Sequence, residues 1–248
     1  MSKVDRPTDT PATWAKHLRP DGKRNFNKKV RQKSKTELKS PQRSDWKLLR
    51  HAVMNKPALI VIDMLNEFLD RWSAADRQRL IASTLELLGT MRSRKLPVIW
   101  VRQEFEANLS DAFLEMRRKG IRSTIQGTPG CEIVPELKPT ANDQVVVKKR
   151  YSAFFRTELD ELLSELQADT LILAGVNTHA CIRTTAIDAY QRDWPVILAV
   201  DCIDSYDKEH HEVSLRYMRD KIARVMTNAQ IIETIGDTPI AGRANAIH

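Results

Sequence analysis

The sequence predicts a three-layer α/β fold, in which helices cover both faces of one parallel sheet. Short continuous apolar runs rich in Ile and Val, such as Pro57–Met64, are typical of strands that are buried on both sides. Segments with apolar residues at helical spacing, such as Asp76–Arg94, alternate with these runs. Glycine is sparse, with 8 in 248 residues, which argues against a chain built of many tight β-turns.

The segments that follow residue 56 show this alternation of strands and helices. Pro57–Met64 (PALIVIDM) predicts the first strand, and Leu96–Arg102 (LPVIWVR) predicts the second. The helix predicted between them has a set of residues at helical spacing: Leu80, Ile81, Thr84, Leu85, Leu87, Leu88 and Met91. A short charged helix is predicted at Asp111–Lys119.

The rest of the chain continues the alternation. Further strands are predicted at Val145–Lys148, Thr170–Val176, Pro195–Asp201 and Ala223–Met226. Further helices are predicted at Thr157–Gln167, Thr178–Arg192 and Lys208–Lys221. Strand–helix–strand units with right-handed crossovers place such strands side by side in parallel, so these elements form one α/β domain.

The charge distribution divides the chain into two parts. Residues 1–50 contain 9 Lys and 6 Arg against 5 Asp and Glu, a net charge of +10, so the total of +8 leaves −2 for the rest. We therefore predict a basic N-terminal extension over residues 1–50 and a folded domain over residues 51–248. The extension is too polar to form a core and is expected to be flexible or to pack on a partner subunit. A tether to nucleic acid is disfavoured, because the segment lacks the interleaved aromatic and basic residues of a recognised binding module.

Cysteine usage and hydropathy indicate a cytoplasmic protein. The three cysteines, Cys131, Cys181 and Cys202, are an odd number without metal-type spacing, which favours free thiols in a reducing compartment. The sequence contains no apolar run of about 18 residues and no apolar signal core, so we expect neither a membrane span nor secretion. His210 and His211 have no second ligand cluster, and no metal site is predicted.

Three chemically capable side chains follow the predicted strands. In open parallel sheets, ligands bind beyond the carboxyl ends of the strands. Asp63 ends the first strand and Lys148 the third, while Cys181 lies just beyond the fourth, in the first turn of the next helix. The fold class alone therefore brings these three residues to the same edge of the sheet.

Together these residues form a coherent set for activating a nucleophile. A thiol at a helix N-terminus is expected to have a lowered pKa, and a nearby lysine acts in the same direction. Asp63 would accept the thiol proton and pass it on. Backbone N–H groups between Asn177 and Cys181 would hold an oxyanion.

Each residue taken singly has an alternative without catalysis. Cys181 could be a small buried apolar residue, Asp63 a helix cap, and Lys148 an exposed charge at a strand end. His179 is more often a surface or hydrogen-bonded histidine than a catalytic base.

Three motifs resemble those of the isochorismatase-like cysteine hydrolase superfamily, and they occur in the order that is found in that family. Ala58–Phe68 is similar to its first-strand signature, in which the strand itself ends in the catalytic aspartate, here Asp63. Lys148–Phe154 is similar to its lysine motif, in which the lysine four residues before Ser-Ala-Phe is catalytic, and this selects Lys148. Leu171–Cys181 is similar to its nucleophile turn. The resemblance covers residues 56–235 and leaves out the basic extension.

The resemblance implies a fold, a backbone feature and a mechanism. The fold is a three-layer (αβα), Rossmann-like domain with a six-stranded parallel sheet. The peptide between Val176 and Asn177 is expected to be cis, so that the N–H groups of Asn177 and Cys181 form an oxyanion hole. Asp63 takes the proton of Cys181, the thiolate attacks an amide or carbamoyl carbon, and Lys148 stabilises the anionic states. Family members are commonly dimers or tetramers, so a homo-oligomer is expected.

The motifs also narrow the substrate class. Nicotinamidases carry an Asp/His metal cluster after the second strand, but Arg102–Asp111 contains no histidine, so no metal and no other cofactor is predicted. The segments Ser152–Thr157 and Gly127–Gly130 resemble the branch that acts on carbamoyl compounds. The prediction is a cysteine-dependent amidohydrolase that acts on a small amide, carbamoyl or ureide substrate through a thioester. The alternatives are a vinyl-ether hydrolase of the isochorismatase type, which does not need the cysteine, and a non-catalytic scaffold.

Five residues are candidates for contact with the substrate. Phe68, Trp72, Tyr151 and Phe154 are candidate pocket walls, with core packing as an equal alternative for each. Arg117 could approach a substrate carboxylate, whereas a solvated helix face is the alternative.

Overall fold

A computed structural model describes residues 54–236, which form an α/β domain around one parallel sheet. In this part of the chain the sheet has six strands in the order β3-β2-β1-β4-β5-β6, and every neighbouring pair is parallel. The strands are β1 (Pro57–Ile62), β2 (Val98–Gln103), β3 (Gln144–Lys148), β4 (Thr170–Val176), β5 (Val196–Asp204) and β6 (Arg224–Met226). The predicted fold class is therefore confirmed. The domain boundary predicted at residues 50 and 51 lies outside the described residues.

The helices alternate with the strands. They are α1 (Asn66–Leu69), α2 (Ala74–Ser93), α3 (Leu114–Lys119), α4 (Leu159–Glu165), α5 (Arg183–Gln191), α6 (Lys208–Met218) and α7 (Asn228–Gly236). Short 3₁₀ turns lie at Pro129–Cys131 and Pro135–Leu137, and a π-helical turn lies at Thr178–Ile182. Within residues 54–236, no helix is both long and apolar enough to cross a membrane.

The observed helices differ from the prediction at several places, and those predicted at Thr157–Gln167 and Lys208–Lys221 are shorter than expected. The helix predicted from Thr178 is divided into the π-helical turn and α5. The helix predicted from Asp111 begins only at Leu114, because the carboxylate of Asp111 accepts a hydrogen bond from the N–H of Glu106 and holds that segment as a loop. The last helix, α7, was not predicted.

Helices cover both faces of the sheet, and β1 shows why its sequence is apolar throughout. Leu59 and Val61 pack in a core cluster with residues of α2 and α7. Ala58, Ile60 and Ile62 pack in a second cluster with residues of α4, α5 and α6. Successive side chains of a strand point to opposite faces, so a central strand of a three-layer fold needs apolar residues at every position.

The long helix α2 follows its sequence pattern closely. Ser73 caps it by accepting a hydrogen bond from the N–H of Asp76, at 3.1 Å. Six of the seven residues at helical spacing are buried: Leu80, Ile81, Thr84, Leu87, Leu88 and Met91. The seventh, Leu85, is 36% exposed.

Gly175 brings the ends of β1 and β4 into close contact. It has a φ of +112° and pairs with Ile62, and a Cβ at this position would lie 1.9 Å from the Ile62 carbonyl oxygen. Only glycine fits this approach and this backbone conformation. The pairing of β4 with β5 shifts register between Leu173 and Gly175. Directly after this contact, β1 continues into Asp63 and β4 into the turn that carries Cys181.

Candidate active site

Asp63 lies at the carboxyl end of β1 and is fixed by the neighbouring strand. Its backbone has a φ of 54°, its N–H donates to the carbonyl of Val101, and its Oδ1 accepts from the N–H of Gln103 at 2.8 Å. The side chain is fully buried. The cap residue of α1 is Leu65, which makes no side-chain cap, so the alternative of Asp63 as a helix cap is wrong.

Lys148 reaches from the edge strand β3 into the interior. Its Nζ lies 2.7 Å from Asp63 Oδ2 and 3.4 Å from Cys181 Sγ, and it also donates to the carbonyl of Arg150 at 3.2 Å. The ammonium group is fully buried, so the alternative of an exposed strand-end charge is wrong. Because β2 separates β3 from β1, the lysine side chain spans the end of β2, where Gln103 pairs with Lys148.

Cys181 completes the group from the other side. It lies in the π-helical turn after β4, and only 5% of its surface is exposed. The structure therefore brings together the three residues that the strand-end rule selected. Lys148 Nζ connects the other two residues, because it contacts both the carboxylate of Asp63 and the sulfur of Cys181.

The electrostatics keep the resting thiol protonated. Burial raises the pKa of Cys181 to about 12 and the charge of Asp63 adds to this, while Lys148 opposes both. The expectation of a lowered thiol pKa is therefore wrong for the unliganded site. Burial alone would lower the pKa of Lys148, but the charge of Asp63 and the contact with the Cys181 sulfur outweigh it and raise that pKa. The lysine thus stays charged, and the thiol would have to lose its proton before the sulfur could act as a nucleophile.

The turn Asn177–Ile182 carries Cys181 and is called the nucleophile turn below. Two of its backbone N–H groups donate to the same carbonyl group. The peptide between Val176 and Asn177 is cis, as predicted. The Asn177 carbonyl accepts from the N–H of Ala180 at 3.0 Å and from the N–H of Ile182 at 3.2 Å. The second of these bonds spans five residues, which makes the turn π-helical rather than α-helical.

Side chains from the end of β5 and from α6 contact the first residues of this turn. Ser205 Oγ accepts from the N–H of His179 at 3.3 Å and lies 2.9 Å from His179 Nδ1. His211 Nδ1 lies 3.0 Å from the hydroxyl of Thr178. The interpretation of His179 as a hydrogen-bonded histidine is therefore confirmed. The side chain of Asn177 also links the turn to the segment after β5, because its Oδ1 accepts a hydrogen bond from the N–H of Tyr206 at 3.4 Å.

Three of the five candidate substrate-contacting residues are accessible. Tyr151 is 49% exposed, and its ring centroid lies 5.0 Å from that of Phe113. Burial raises the pKa of the Tyr151 phenol. Phe68 and Trp72 are partly buried against the core cluster of α2, and Lys208 lies over the Trp72 ring at 5.1 Å.

The other two candidates have contacts that favour their alternatives. Phe154 is 4% exposed and packs in the core cluster of α4, α5 and α6, with the guanidinium of Arg192 over its ring. Arg117 is exposed on α3 and donates to the carbonyl of Ser110 at 3.2 Å. These contacts favour core packing for Phe154 and a solvated helix face for Arg117.

Several polar residues around the site were missed in the sequence. Gln103 is 6% exposed beside Asp63, and its amide nitrogen lies 3.5 Å from the hydroxyl of the buried Thr124. The strand-end rule would have selected Gln103 if β2 had been extended by one residue. Ser205 and His211 carried no local signal, because their partners lie 26 and 33 residues away.

Comparison with known proteins gives consistent matches over the described domain. The family model of the Isochorismatase domain matches residues 57–230. The uncharacterized isochorismatase family protein YaaI of Bacillus subtilis is 29% identical over 180 residues, which cover 71% of this chain and 96% of that protein. The crystal structure of N-carbamoylsarcosine amidase from Thermoplasma acidophilum is 31% identical, with 70% of this chain and 96% of that chain covered and a TM-score of 0.60. An Arabidopsis thaliana protein described as a "Probable inactive nicotinamidase" is 31% identical over 172 residues, which cover 66% of this chain and 88% of that protein.

Proposed function

Because this chain belongs to the isochorismatase family of hydrolases, we propose that it is a cysteine-dependent amidohydrolase. Its substrate is a small amide, carbamoyl or ureide compound, and the reaction passes through a thioester on Cys181. The observation that carries the proposal is the position of Lys148 Nζ, 2.7 Å from the carboxylate of Asp63 and 3.4 Å from the sulfur. A nucleophile, a proton acceptor and a fixed positive charge are thus in contact within one buried site.

The first step forms the carbon–sulfur bond. The proton of Cys181 moves to the carboxylate of Asp63 as the sulfur attacks the amide or carbamoyl carbon. The electron pair of the carbonyl moves onto its oxygen, which is held by the N–H groups of Asn177 and Cys181 in this proposal. Lys148 remains charged and stabilises the developing anion, which agrees with its raised pKa. Because the resting thiol is protonated, Asp63 is needed as the base.

The second step breaks the carbon–nitrogen bond and the third releases the acyl group. The nitrogen takes the proton back from Asp63 and leaves as ammonia or an amine, and the thioester on Cys181 remains. Water then attacks the thioester, with Asp63 as the base, and the sulfur is reprotonated as it leaves. One carboxylate therefore serves as proton acceptor and donor in turn, which requires it to stay within reach of both groups.

The substrate class rests on two kinds of support. The solved relative of this fold from Thermoplasma acidophilum is an N-carbamoylsarcosine amidase, and it is 31% identical. The three central side chains are at most 5% exposed, so the reacting group has to be small. Tyr151, Phe68 and Trp72 are proposed as walls for the remainder of the substrate. The homo-oligomeric state, the cytoplasmic location and the absence of nucleic-acid partners stay predictions.

Assays of ammonia release and of isochorismate consumption test the proposal against both alternatives. Purified protein is assayed with carbamoyl, ureide and simple amide substrates and with isochorismate, in the wild type and in Cys181→Ala and Cys181→Ser. We expect ammonia from at least one carbon–nitrogen substrate and none from either Cys181 variant. Cys202→Ser is the matched control, since Cys202 is a buried thiol that donates to Asn228 Oδ1 at 3.1 Å, and it should remain active.

Two outcomes would replace the proposal. Isochorismate turnover that persists in Cys181→Ala would indicate the vinyl-ether hydrolase, which does not use the thiol. A folded wild type without turnover on any of these substrates would indicate a non-catalytic scaffold, for which the relative described as a probable inactive nicotinamidase is a precedent.

A further inference from the structure

We propose that His211 is a positioning residue that holds the nucleophile turn through the hydroxyl of Thr178. The proposal rests on the proposed function for its effect on turnover. The contact itself is independent of any substrate. His211 Nδ1 lies 3.0 Å from Thr178 Oγ1, and Thr178 precedes Cys181 by three residues in the same π-helical turn.

The contact is made in a region from which water is excluded. Thr178 is fully buried, and the side chain of His211 is 13% exposed. A buried hydroxyl that loses its partner is costly, so this hydrogen bond has a strong influence on the conformation of the turn. One further side chain holds the turn, because Ser205 Oγ contacts His179, whereas the hydrogen bonds of Asn177 are made within the turn and to the backbone of Tyr206.

His211 is itself fixed from two directions. Asp207 caps α6 by accepting from the N–H of His210, which places His211 in the first turn of that helix. Asp204 Oδ1 lies 3.7 Å from His211 Nδ1, and this carboxylate is held by Lys208 at 2.8 Å and by Arg79. The imidazole therefore has little freedom to leave the Thr178 hydroxyl.

The charge state of the ring agrees with this role. Burial lowers the pKa of His211, with Lys208 and Arg79 acting in the same direction and Asp204 and Glu212 against it. The ring is thus neutral at neutral pH. A neutral ring can make this hydrogen bond in either tautomer, because Nδ1–H donates to the Thr178 oxygen and an unprotonated Nδ1 accepts from the hydroxyl.

His211 acts on the reaction through the turn. Among the described residues its hydrogen-bond and ion-pair contacts are with Thr178 and Asp204, not with Asp63, Lys148 or Cys181. Its loss should therefore lower kcat, because the sulfur is no longer held against Lys148 Nζ, and leave KM nearly unchanged. A displacement of about 1 Å at a reacting group can cost roughly 100-fold in rate, so we expect kcat to fall about 10- to 100-fold.

The experiment compares four variants with two measurements. His211→Ala removes the imidazole, His211→Asn replaces it with an amide that can also hydrogen-bond, and Thr178→Val removes the hydroxyl at the same volume. Val213→Ala is the control on the same helix, because Val213 is exposed and has no group that can hydrogen-bond to the turn. Hydrogen exchange followed by mass spectrometry reports on residues 177–182, and steady-state kinetics reports kcat and KM.

We expect faster exchange at residues 177–182 in His211→Ala and Thr178→Val, with β1 and β4 unchanged, and recovery in His211→Asn. The double variant of His211→Ala with Thr178→Val should lose no more kcat than either single variant.

Unchanged exchange in the turn would overturn the proposal whether or not a substrate is known. Equal loosening of the whole domain would also overturn it. If the turn loosens but the kcat of His211→Ala equals that of the wild type, the positioning role is wrong. If the turn loosens and the wild type has no activity, the contact is supported and the proposed function fails.

Discussion

The two halves of the site are held in different ways. Asp63 and Lys148 form the strand-end half, and their positions follow from the register of the sheet, with the Asp63 N–H on the Val101 carbonyl and Gln103 paired with Lys148. The nucleophile turn forms the other half, and it is held by Ser205, just beyond β5, and by His211 of α6 rather than by a ladder. Backbone ladders are specified along the whole strand, whereas the turn depends on a few individual hydrogen bonds. Apart from Cys181 itself, substitutions should therefore act on chemistry in the first half and on positioning in the second.

The largest effect is expected for Asp63→Asn. Asparagine keeps the shape and can still accept from the N–H of Gln103, but it cannot take the thiol proton, so kcat should fall roughly 10²- to 10⁴-fold. The measurement is single-turnover ammonia release, with urea unfolding to establish that the variant is folded. Asp204→Asn is the control from the other half of the site, and its kcat should fall less. Activity of Asp63→Asn within a few-fold of the wild type would place the proton acceptor elsewhere.

The next largest effect is expected for the stability of Gly175→Ala. Gly175 lies at the contact between the ends of β4 and β1, where the two halves of the site meet. The new Cβ would lie 1.9 Å from the Ile62 carbonyl oxygen, and φ of +112° is unfavourable for alanine. We expect the free energy of unfolding to fall by about 2–4 kcal/mol. Gly89→Ala in α2 is the matched control, since no atom lies within 4 Å of its added Cβ, and it should be neutral or stabilising. Equal melting temperatures of the two variants would contradict the close approach.

The strand-end half could be derived from the sequence, because its information is local. The apolar runs of β1 and β4 mark strands buried on both faces, and the residue that ends such a strand necessarily lies at the edge where sites form. Asp63 and Lys148 follow from this rule. The rule needs accurate strand ends, which is why Gln103, one residue beyond the predicted end of β2, was missed.

The turn could not be derived in the same way. The pattern of apolar residues after Thr178 predicts a helix, but the wider π-helical winding and the contacts of His179 and Thr178 depend on residues from β5 and α6. The lowered pKa expected for Cys181 failed for a related reason. Helix position is visible in the sequence, whereas full burial beside a carboxylate is a property of the assembled fold.

A smaller effect is expected for the stability of Asp204→Asn, and it depends on pH. Burial opposes ionisation of Asp204, but the hydrogen bonds from Lys208, the Ser205 N–H and Arg79 outweigh it and lower its pKa below 3.8. Such a carboxylate stabilises the fold above its unfolded pKa, and this contribution is lost as the pH falls through the folded pKa. The variant should therefore be less stable than the wild type by about 1–3 kcal/mol at pH 7, with the difference closing below about pH 4.

Urea unfolding at several pH values measures this difference. Asp70→Asn, at the exposed end of α1, is the control and should match the wild type throughout. A difference for Asp204→Asn that stays constant down to pH 3 would mean that its carboxylate is not engaged as the structure shows.

The smallest effect is expected for Arg117→Ala, which tests where the substrate lies relative to the two halves. The guanidinium is exposed and donates to the Ser110 carbonyl, whereas Tyr151 is a half-exposed aromatic residue that follows Lys148 by three residues. KM should thus change less than twofold in Arg117→Ala and several-fold in Tyr151→Ala, because an exposed charge contributes little and a lost aromatic wall removes contact area. The comparison should use two substrates of the same class, one with a carboxylate and one without. A rise in KM confined to the carboxylate substrate in Arg117→Ala would show that α3 closes over the strand-end half when substrate binds.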